Sequence, residues 1–239
     1  MAQTTNVTTE AGAMPALLWL PPSGSGPGIV LLQEIFGVTG YIQRRAAHLA
    51  DLGYVVLAPQ IYWRLGVTEP VEGADALELG MGLVQRLDWD AAVADAVASV
   101  DWLRGNGEVI GGVGVVGFCF GGGLGFMTAA ALERRDPATP AAALVSYYGS
   151  SLPELGDSMQ VAAPSLHHFG LADSYIDSDT VRAIEASVTR QPATTFYTYE
   201  GADHAFDNDE MPLHHPAASS LAWERTSDFL AQHLPTTSP

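Results

Sequence analysis

Residues 112–123 constrain the fold of this chain more than any other stretch. They read Gly-Val-Gly-Val-Val-Gly-Phe-Cys-Phe-Gly-Gly-Gly. The β-branched residues predict a buried strand, and the glycines around Cys119 predict a sharp turn into a helix of small residues. Cys119 is the single cysteine of the chain. The stretch therefore predicts a strand, a tight turn and a helix, with a thiol on the turn.

The spacing of the glycines around Cys119 is typical of a nucleophile elbow. Gly117 and Gly121 lie two residues before and two residues after it, and a side chain at either position would collide with the crossing strand and helix. We therefore predict that Cys119 is a nucleophile. A buried packing role for the cysteine is the first alternative. A phosphate-binding loop is the second, and it is disfavoured because the chain contains no lysine.

Length and charge restrict the class of protein. The 239 residues fit one α/β domain over 1–239 that needs neither disulfides nor a structural metal. With 27 acidic and 10 basic residues the net charge is −17, which argues against a surface for nucleic acid or an anionic membrane. No segment resembles a membrane span or a secretory signal. The single cysteine agrees with a reducing cytoplasm, which is the location we expect.

Apolar runs alternate with helical periodicity along the chain. An antiparallel pair of strands is predicted at residues 6–9 and 15–20. Further strands are predicted at residues 28–33, 54–58, 142–148, 165–169 and 194–199, besides the one before Cys119. Helices are predicted at residues 41–52, 88–104, 124–134, 180–189 and 217–233. This alternation predicts an α/β fold, with a mostly parallel sheet covered by helices on both faces.

Residues 60–87 fit this alternation least well. They contain glycines, scattered acidic residues and only weak helical periodicity. We interpret the segment as an insertion or a lid over the site rather than as part of the core.

Polar residues follow three of the predicted strands, where functional groups gather in a parallel sheet. Glu34 follows the strand at 28–33, Asp173 the strand at 165–169, and His204 the strand at 194–199. The chain order Cys119, Asp173, His204 is the order nucleophile, acid, histidine that accompanies such an elbow. His204 would take the thiol proton and Asp173 would hold its ring. Glu34 would lie beside the thiol.

Two further features complete the predicted site. The backbone N–H groups of Ile35 and Phe120 would form the oxyanion hole. The identity of the acid stays open, because Asp177 and Asp179 lie close to Asp173 in the sequence and any of the three could instead cap the helix near residue 180.

Pairs of adjacent histidines at 167–168 and 214–215 raise the question of a zinc site. Adjacent residues on a strand point to opposite faces of the sheet, so His167 and His168 cannot face one metal ion. No second set of ligands has metal spacing. We therefore predict that the protein has no metal site.

Four segments of the chain resemble the dienelactone hydrolase family of α/β-hydrolases. They are residues 33–38, 117–122, 170–173 and 201–206, and the similarity extends from about residue 15 to residue 234. The resemblance implies an α/β-hydrolase fold and a cofactor-free hydrolase with Cys119 as nucleophile, His204 as base and Asp173 as its partner. It also implies that Glu34 helps to ionise the thiol when the substrate binds.

The chain departs from this family in the arginines near the site. Members that cleave dienelactone hold its carboxylate with one arginine after the second parallel strand and another shortly after the catalytic histidine. Here residues 207–209 are Asp-Asn-Asp, and Arg64 is the remaining candidate for contact with an anion, with a solvated loop position as its alternative. A less charged small-molecule ester, lactone or thioester is therefore open as the substrate.

Two functions follow from these observations. The first is an ester or lactone hydrolase that acts through an acyl-cysteine intermediate on Cys119. The second is a catalytically silent α/β-hydrolase scaffold that binds a small ligand or a protein partner, since a fold does not determine a function.

Overall fold

A computed structural model describes residues 2–150, 152 and 159–236. The strands in this part of the chain are β1 (Gln3–Thr9), β2 (Gly12–Trp19), β3 (Gly26–Leu32), β4 (Val55–Pro59), β5 (Val109–Phe118), β6 (Leu144–Tyr147), β7 (Ser165–Gly170) and β8 (Thr194–Tyr199). They form one sheet in the order β1-β2-β4-β3-β5-β6-β7-β8. The pairs β1–β2 and β2–β4 are antiparallel, and all the other pairs are parallel. The predicted mostly parallel sheet is confirmed.

The helices in the same part of the chain are α1 (Gly40–Asp51), α2 (Ala76–Arg86), α3 (Trp89–Arg104), α4 (Phe120–Arg135), α5 (Ser178–Val188) and α6 (Pro216–His233). A 3-10 turn covers Ile61–Leu65. Most boundaries agree with the sequence to within two residues. β1 and β2 each begin three residues before the predicted start, and α2 lies in a segment for which the sequence predicts no helix. The largest difference at a boundary is in α4, which begins at Phe120 rather than at residue 124, because the glycines that weaken a helix in the sequence form its first turn.

Helices cover both faces of the sheet. The ring of His167 on β7 lies 6.1 Å from that of Phe126 on α4. The neighbouring residue His168 faces the opposite way and contacts Thr226 on α6, with 3.0 Å between His168 Nε2 and the Thr226 hydroxyl. Helix α3 packs with α4, and Arg45 of α1 stacks on Trp223 of α6. These contacts confirm the predicted layers.

Local signals in the sequence explain where several elements begin and end. Every residue of β3 and β4 is buried, as their continuous apolar runs predict. Asp88 caps α3 by accepting the N–H of Ala91 at 3.1 Å. Gly53 follows α1 with a φ of 104°, a left-handed conformation that glycine adopts without strain.

Residues 60–87 contain the 3-10 turn and α2. Helix α2 buries Gly80 and Leu83 but exposes Leu77, Leu79 and Met81 to solvent. Within the described residues, no helix combines the length and the apolar character needed to cross a membrane.

Candidate active site

Cys119 occupies the tight turn between β5 and α4. Its φ of 54° and ψ of −116° are unusual for a residue with a side chain, and such a conformation costs on the order of 1–3 kcal/mol. The turn is closed by backbone hydrogen bonds from the Cys119 N–H to Tyr147 and from the Gly122 N–H to the Cys119 carbonyl. The surrounding structure thus holds Cys119 in place despite the strain.

Gly117 and Gly121 allow this turn because their backbones are in close contact with other backbone atoms. A Cβ atom at Gly117 would lie 2.0 Å from the carbonyl oxygen of Gly121. A Cβ atom at Gly121 would lie 2.4 Å from the carbonyl oxygen of Leu32 on β3. No side chain fits at either position, which is the steric role that the sequence predicts for both glycines.

The structure brings Cys119, His204 and Asp173 into one chain of hydrogen bonds. The Cys119 Sγ atom lies 3.1 Å from His204 Nε2, and His204 Nδ1 lies 2.8 Å from Asp173 Oδ2. Asp173 Oδ1 accepts the backbone N–H groups of Tyr175 and Ile176, each at 2.8 Å. Each side chain of the trio lies on a loop that follows a strand, and each residue is at most 9% exposed.

The surroundings of His204 favour its protonated form. Burial alone would lower the pKa of His204, but the attraction of Cys119 and the hydrogen bonds to Asp173 and Cys119 outweigh it and raise the pKa above its ordinary value. His204 is therefore placed to accept the proton of the Cys119 thiol and to hold it as an imidazolium.

The other two aspartates of this loop have different partners. Asp177 caps α5 by accepting the N–H groups of Asp179 and Thr180. Asp179 forms an ion pair with Arg182. Asp173 is the carboxylate that the structure places on His204.

Asp203 is a site residue to which sequence reasoning assigned no role. Its Oδ1 atom accepts the backbone N–H of Ser174 at 2.7 Å and that of His204 at 2.6 Å. Asp203 thus joins the loop of Asp173 to the loop of His204. Its only signal in the sequence was its position next to the histidine.

Glu34 is buried and lines the same pocket as Cys119 and His204. Its Oε2 atom accepts a hydrogen bond from the side-chain amide of Asn208 at 2.7 Å, and its Oε1 atom accepts one from the Tyr148 hydroxyl at 3.2 Å. Burial raises the pKa of Glu34 to about 7, despite the opposing effect of the Asn208 hydrogen bond. Glu34 can therefore gain or lose a proton near neutral pH.

Sequence reasoning missed both partners of Glu34. Asn208 lies 174 residues from Glu34 in the sequence, and Tyr148 lies 114 residues away. Tyr148 also has a positive φ of 37°. No local pattern indicates either contact, because each depends on which loops the sheet brings together.

The acidic residues at 207 and 209 are engaged in ion pairs. Buried Asp207 accepts from Arg45 Nε at 2.8 Å and Nη2 at 2.7 Å, and from the Ser219 hydroxyl at 2.8 Å. Asp209 pairs with Arg44. In residues 207–209, Asn208 thus contacts Glu34, and the two carboxylates are bound by arginines of α1.

Arg64 does not reach the pocket. Its Nε atom lies 2.8 Å from Asp95 Oδ2, and its Nη2 atom lies 2.7 Å from Asp95 Oδ1. The guanidinium also stacks on Trp63, which donates its indole N–H to the same carboxylate. Arg64 is not among the described residues that line the cavity. The structure does not support the expected contact between Arg64 and a substrate anion, because Asp95 already binds the charge of Arg64.

The pocket over Cys119 has a volume of about 340 Å³. Its polar lining comes from Glu34, Cys119, Ser150, Tyr175 and His204. Ile35, whose N–H is one expected oxyanion donor, also lines it. Phe120, which carries the other, is the first residue of α4, where N–H groups have no partner within the helix.

The paired histidines of the sequence have separate surroundings. His167 packs against the rings of Phe126 and Phe196, whereas His168 contacts the hydroxyl groups of Tyr199 and Thr226. In the described ranges, no cluster of three or more His, Cys, Asp or Glu side chains has the arrangement of a metal site.

Comparison with known proteins identifies the family. Residues 14–234 match the model of the dienelactone hydrolase family. The chain belongs to this family. A carboxymethylenebutenolidase of Pseudomonas putida is 32% identical over 221 residues, which is 90% of either chain. A carboxymethylenebutenolidase of Pseudomonas sp. strain P51 is 31% identical over 227 residues, covering 94% of this chain and 92% of the other.

Solved structures of dienelactone hydrolases have the same fold. A Klebsiella pneumoniae chain assigned as a dienelactone hydrolase aligns with a TM-score of 0.81 at 27% identity, over 97% of this chain and 98% of that one. A dienelactone hydrolase-like promiscuous phosphotriesterase from metagenomic libraries aligns with a TM-score of 0.77 at 23% identity, over 98% of both chains, and shows the shared fold. As a dienelactone hydrolase family member, the protein is a hydrolase of carboxylic ester or lactone bonds.

Proposed function

We propose that the protein cleaves a small-molecule ester or lactone through an acyl-cysteine intermediate, without a cofactor. Cys119 is the nucleophile, His204 the general base and Asp173 the residue that orients His204. The observation that carries this proposal is the continuous path from Cys119 Sγ through His204 to Asp173, with contacts of 3.1 and 2.8 Å, at a pocket. Such a path is the arrangement of a catalytic triad.

The reaction would begin when His204 Nε2 takes the proton of the Cys119 thiol. The thiolate attacks the carbonyl carbon and forms the C–S bond, and the carbonyl electron pair moves to the oxygen. The backbone N–H groups of Ile35 and Phe120 stabilise this oxyanion. When the carbonyl re-forms, the C–O bond to the alcohol breaks and His204 returns its proton to the leaving oxygen. For a lactone the alcohol stays on the acyl group.

Hydrolysis of the thioester would use the same residues. His204 takes a proton from water, and the resulting hydroxide attacks the acyl carbon. Collapse of the second tetrahedral species breaks the C–S bond, releases the acid and returns the thiolate of Cys119. His204 is thus the base in both halves of the reaction.

Glu34 is proposed to assist the ionisation of Cys119. A fixed carboxylate next to a thiolate would disfavour the thiolate, so Glu34 helps only if it accepts a proton and becomes neutral. A pKa of about 7 allows this near neutral pH. The hydrogen bonds from Asn208 and Tyr148 hold the carboxyl group of Glu34 in position.

The segment 60–87 is proposed to act as a lid within a single domain over residues 1–239. Its helix α2 contributes Leu77, Met81 and Val84 to the wall of the pocket. Because a catalytic thiol must remain reduced, we also propose a cytoplasmic location.

The test of this proposal is the Cys119→Ala variant with activated aryl esters as substrates. We expect kcat/KM to fall by at least about 10³-fold, because removal of the nucleophile leaves only binding and the oxyanion hole. Ser150→Ala is a matched control, since Ser150 lines the same pocket and its hydrogen bond to Cys119 comes from the backbone N–H, which alanine keeps. A Cys119→Ala enzyme with the wild-type rate would refute the proposal.

Alkylation separates the enzyme from a silent scaffold. A thiol paired with His204 should react with dilute iodoacetamide faster than a buried structural thiol. We expect alkylation of native Cys119 and loss of activity in parallel. A wild-type protein without esterase activity and with an unreactive thiol would support the silent scaffold.

A further inference from the structure

The lining of the pocket is unlike a site for an anion. Among the described lining residues, the ionisable side chains are Glu34, Cys119, Tyr175 and His204, and none of the lining residues is an arginine. Lysine is absent from the whole sequence. The carboxylate-binding arginines that the family resemblance implies thus have no counterpart in this lining.

Arginines on neighbouring elements are held by carboxylates. Arg64 is bound by Asp95, of which 1% is exposed, and Arg45 is bound by Asp207, also 1% exposed. Freeing either guanidinium would leave a buried carboxylate without its cationic partner, which is strongly unfavourable. Neither arginine is available to a bound substrate.

One wall of the pocket is an apolar helix face. Leu77, Met81 and Val84 of α2 are spaced at i, i+4 and i+7, which places them on one side of the helix. Leu77 is 47% exposed and Met81 is 43% exposed. Apolar surface of this kind gains stability when an apolar chain covers it.

We propose that this site selects uncharged esters or lactones with an apolar chain and rejects substrates that carry a carboxylate close to the reacting carbonyl. The inference rests on the proposed function, because it names the substrate class of the same site. The apolar chain lies along Leu77, Met81 and Val84. A substrate carboxylate would lose its hydration without gaining an arginine or lysine partner, because both ring nitrogens of the His204 imidazolium are already bound by Asp173 and Cys119. Glu34 would also repel the substrate carboxylate whenever Glu34 is ionised.

The first experiment compares matched p-nitrophenyl esters with wild-type enzyme. From acetate to pentanoate, kcat/KM should rise by up to about fourfold for each methylene that reaches the apolar face. The monoester of glutaric acid has the five-carbon chain of pentanoate but ends in a carboxylate. We expect it to react at least about tenfold more slowly, as an unpartnered charge requires. Equal or faster cleavage of the glutarate ester would overturn the inference.

The second experiment supplies the missing charge. Met81→Arg places a cation on the pocket wall, and we expect it to reduce the preference for pentanoate over glutarate at least about tenfold. Leu79→Arg is the matched control, because Leu79 lies on the same helix and is 54% exposed but is not among the lining residues described. It should leave the preference unchanged. If both variants change the preference for pentanoate over glutarate equally, the effect comes from the net charge of the protein and the inference fails.

A third experiment measures the preference of the pocket for neutral over anionic molecules without ester cleavage. Neutral iodoacetamide and anionic iodoacetate alkylate the same thiol, and free cysteine provides the reference ratio of their rates. We expect Cys119 to favour iodoacetamide at least about tenfold more than free cysteine does. Selective alkylation without ester cleavage would refute the proposed function alone. Cys119-dependent cleavage with the free-cysteine ratio would refute the substrate class alone.

Discussion

The pocket has two walls of opposite character. The polar wall carries Cys119 and His204, which are nearly buried on loops that follow parallel strands, and Asp173 lies behind this wall in a hydrogen bond to His204. The apolar wall is the face of α2 that carries Leu77, Met81 and Val84, and Leu77 and Met81 are nearly half exposed. In the proposed mechanism, the sheet thus fixes the positions of the reacting groups, whereas a helix outside the sheet provides the contacts that we propose select the substrate.

Backbone strain is confined to the polar side. In the described residues, the non-glycine residues with positive φ are Cys119, Tyr148 and Ala205. Cys119 and Ala205 line the pocket, and the ring of Tyr148 lies 5.1 Å from that of His204. Strained residues persist only where the surrounding structure holds them. The polar wall is therefore the part of the site that tolerates the least change.

The largest effect on the polar wall is expected from Asp173→Asn. The amide cannot hold His204 in the tautomer that accepts the thiol proton, so kcat should fall by about 10²- to 10⁴-fold. Esterase assays over a range of pH measure this loss. Asp177→Asn is the matched control, because asparagine also caps a helix and Asp177 does not contact His204. An unchanged rate in Asp173→Asn would move the acid role to another residue.

Glu34→Gln should alter how stability depends on pH. The pKa of Glu34 rises from 4.5 to about 7 on folding, so the folded protein binds more protons between these values and the free energy of unfolding falls as pH rises through this window. The difference is about 3 kcal/mol. Relative to wild type, Glu34→Gln should therefore be more stable at pH 8 than at pH 5 by most of this amount, about 2.5 kcal/mol. Urea unfolding of both proteins at both pH values measures this difference. An equal stability difference between Glu34→Gln and wild type at pH 5 and pH 8 would contradict the raised pKa of Glu34.

Smaller effects are expected on the apolar wall, where two glycines of α2 form a matched pair. A Cβ atom at Gly80 would lie 2.9 Å from the carbonyl oxygen of Ile35, whereas one at Gly82 would have no atom within 4 Å. Gly80→Ala should displace α2 or the loop of Ile35 and reduce kcat/KM roughly tenfold. This loss is smaller than that for complete removal of an oxyanion donor, because the Ile35 N–H is shifted rather than removed. Gly82→Ala should raise stability by about 0.5–1 kcal/mol with little effect on the rate. Thermal unfolding and esterase assays of both variants test the pair, and equal behaviour would contradict the close packing at Gly80.

The sequence predicts the polar wall well because its signals are local. Gly117 and Gly121 mark the turn around Cys119, and the apolar runs of β7 and β8 end just before the loops of Asp173 and His204. In a parallel sheet these loops must meet at one edge. The fold and the meeting of these side chains therefore follow from patterns within short stretches.

The remaining contacts depend on distant partners, and sequence reasoning did not find them. Whether Arg64 is free depends on Asp95, 31 residues away, and the state of Glu34 depends on Asn208. Each pairing is decided by the packing of loops and helices rather than by a local pattern. For the same reason the sequence does not decide which aspartate pairs with His204. The conformation of the loop directs Asp173 to His204 and Asp177 to the start of α5.

The most direct test of the account is to trap the acyl-enzyme. Wild-type protein is mixed with p-nitrophenyl butyrate, quenched in acid within the first turnovers, digested and examined by mass spectrometry. We predict one butyryl group on the peptide that contains Cys119, lost on treatment with hydroxylamine, as a thioester requires. Active enzyme with no adduct on Cys119, or with the acyl group on Ser150 instead, would contradict the role of Cys119 as nucleophile.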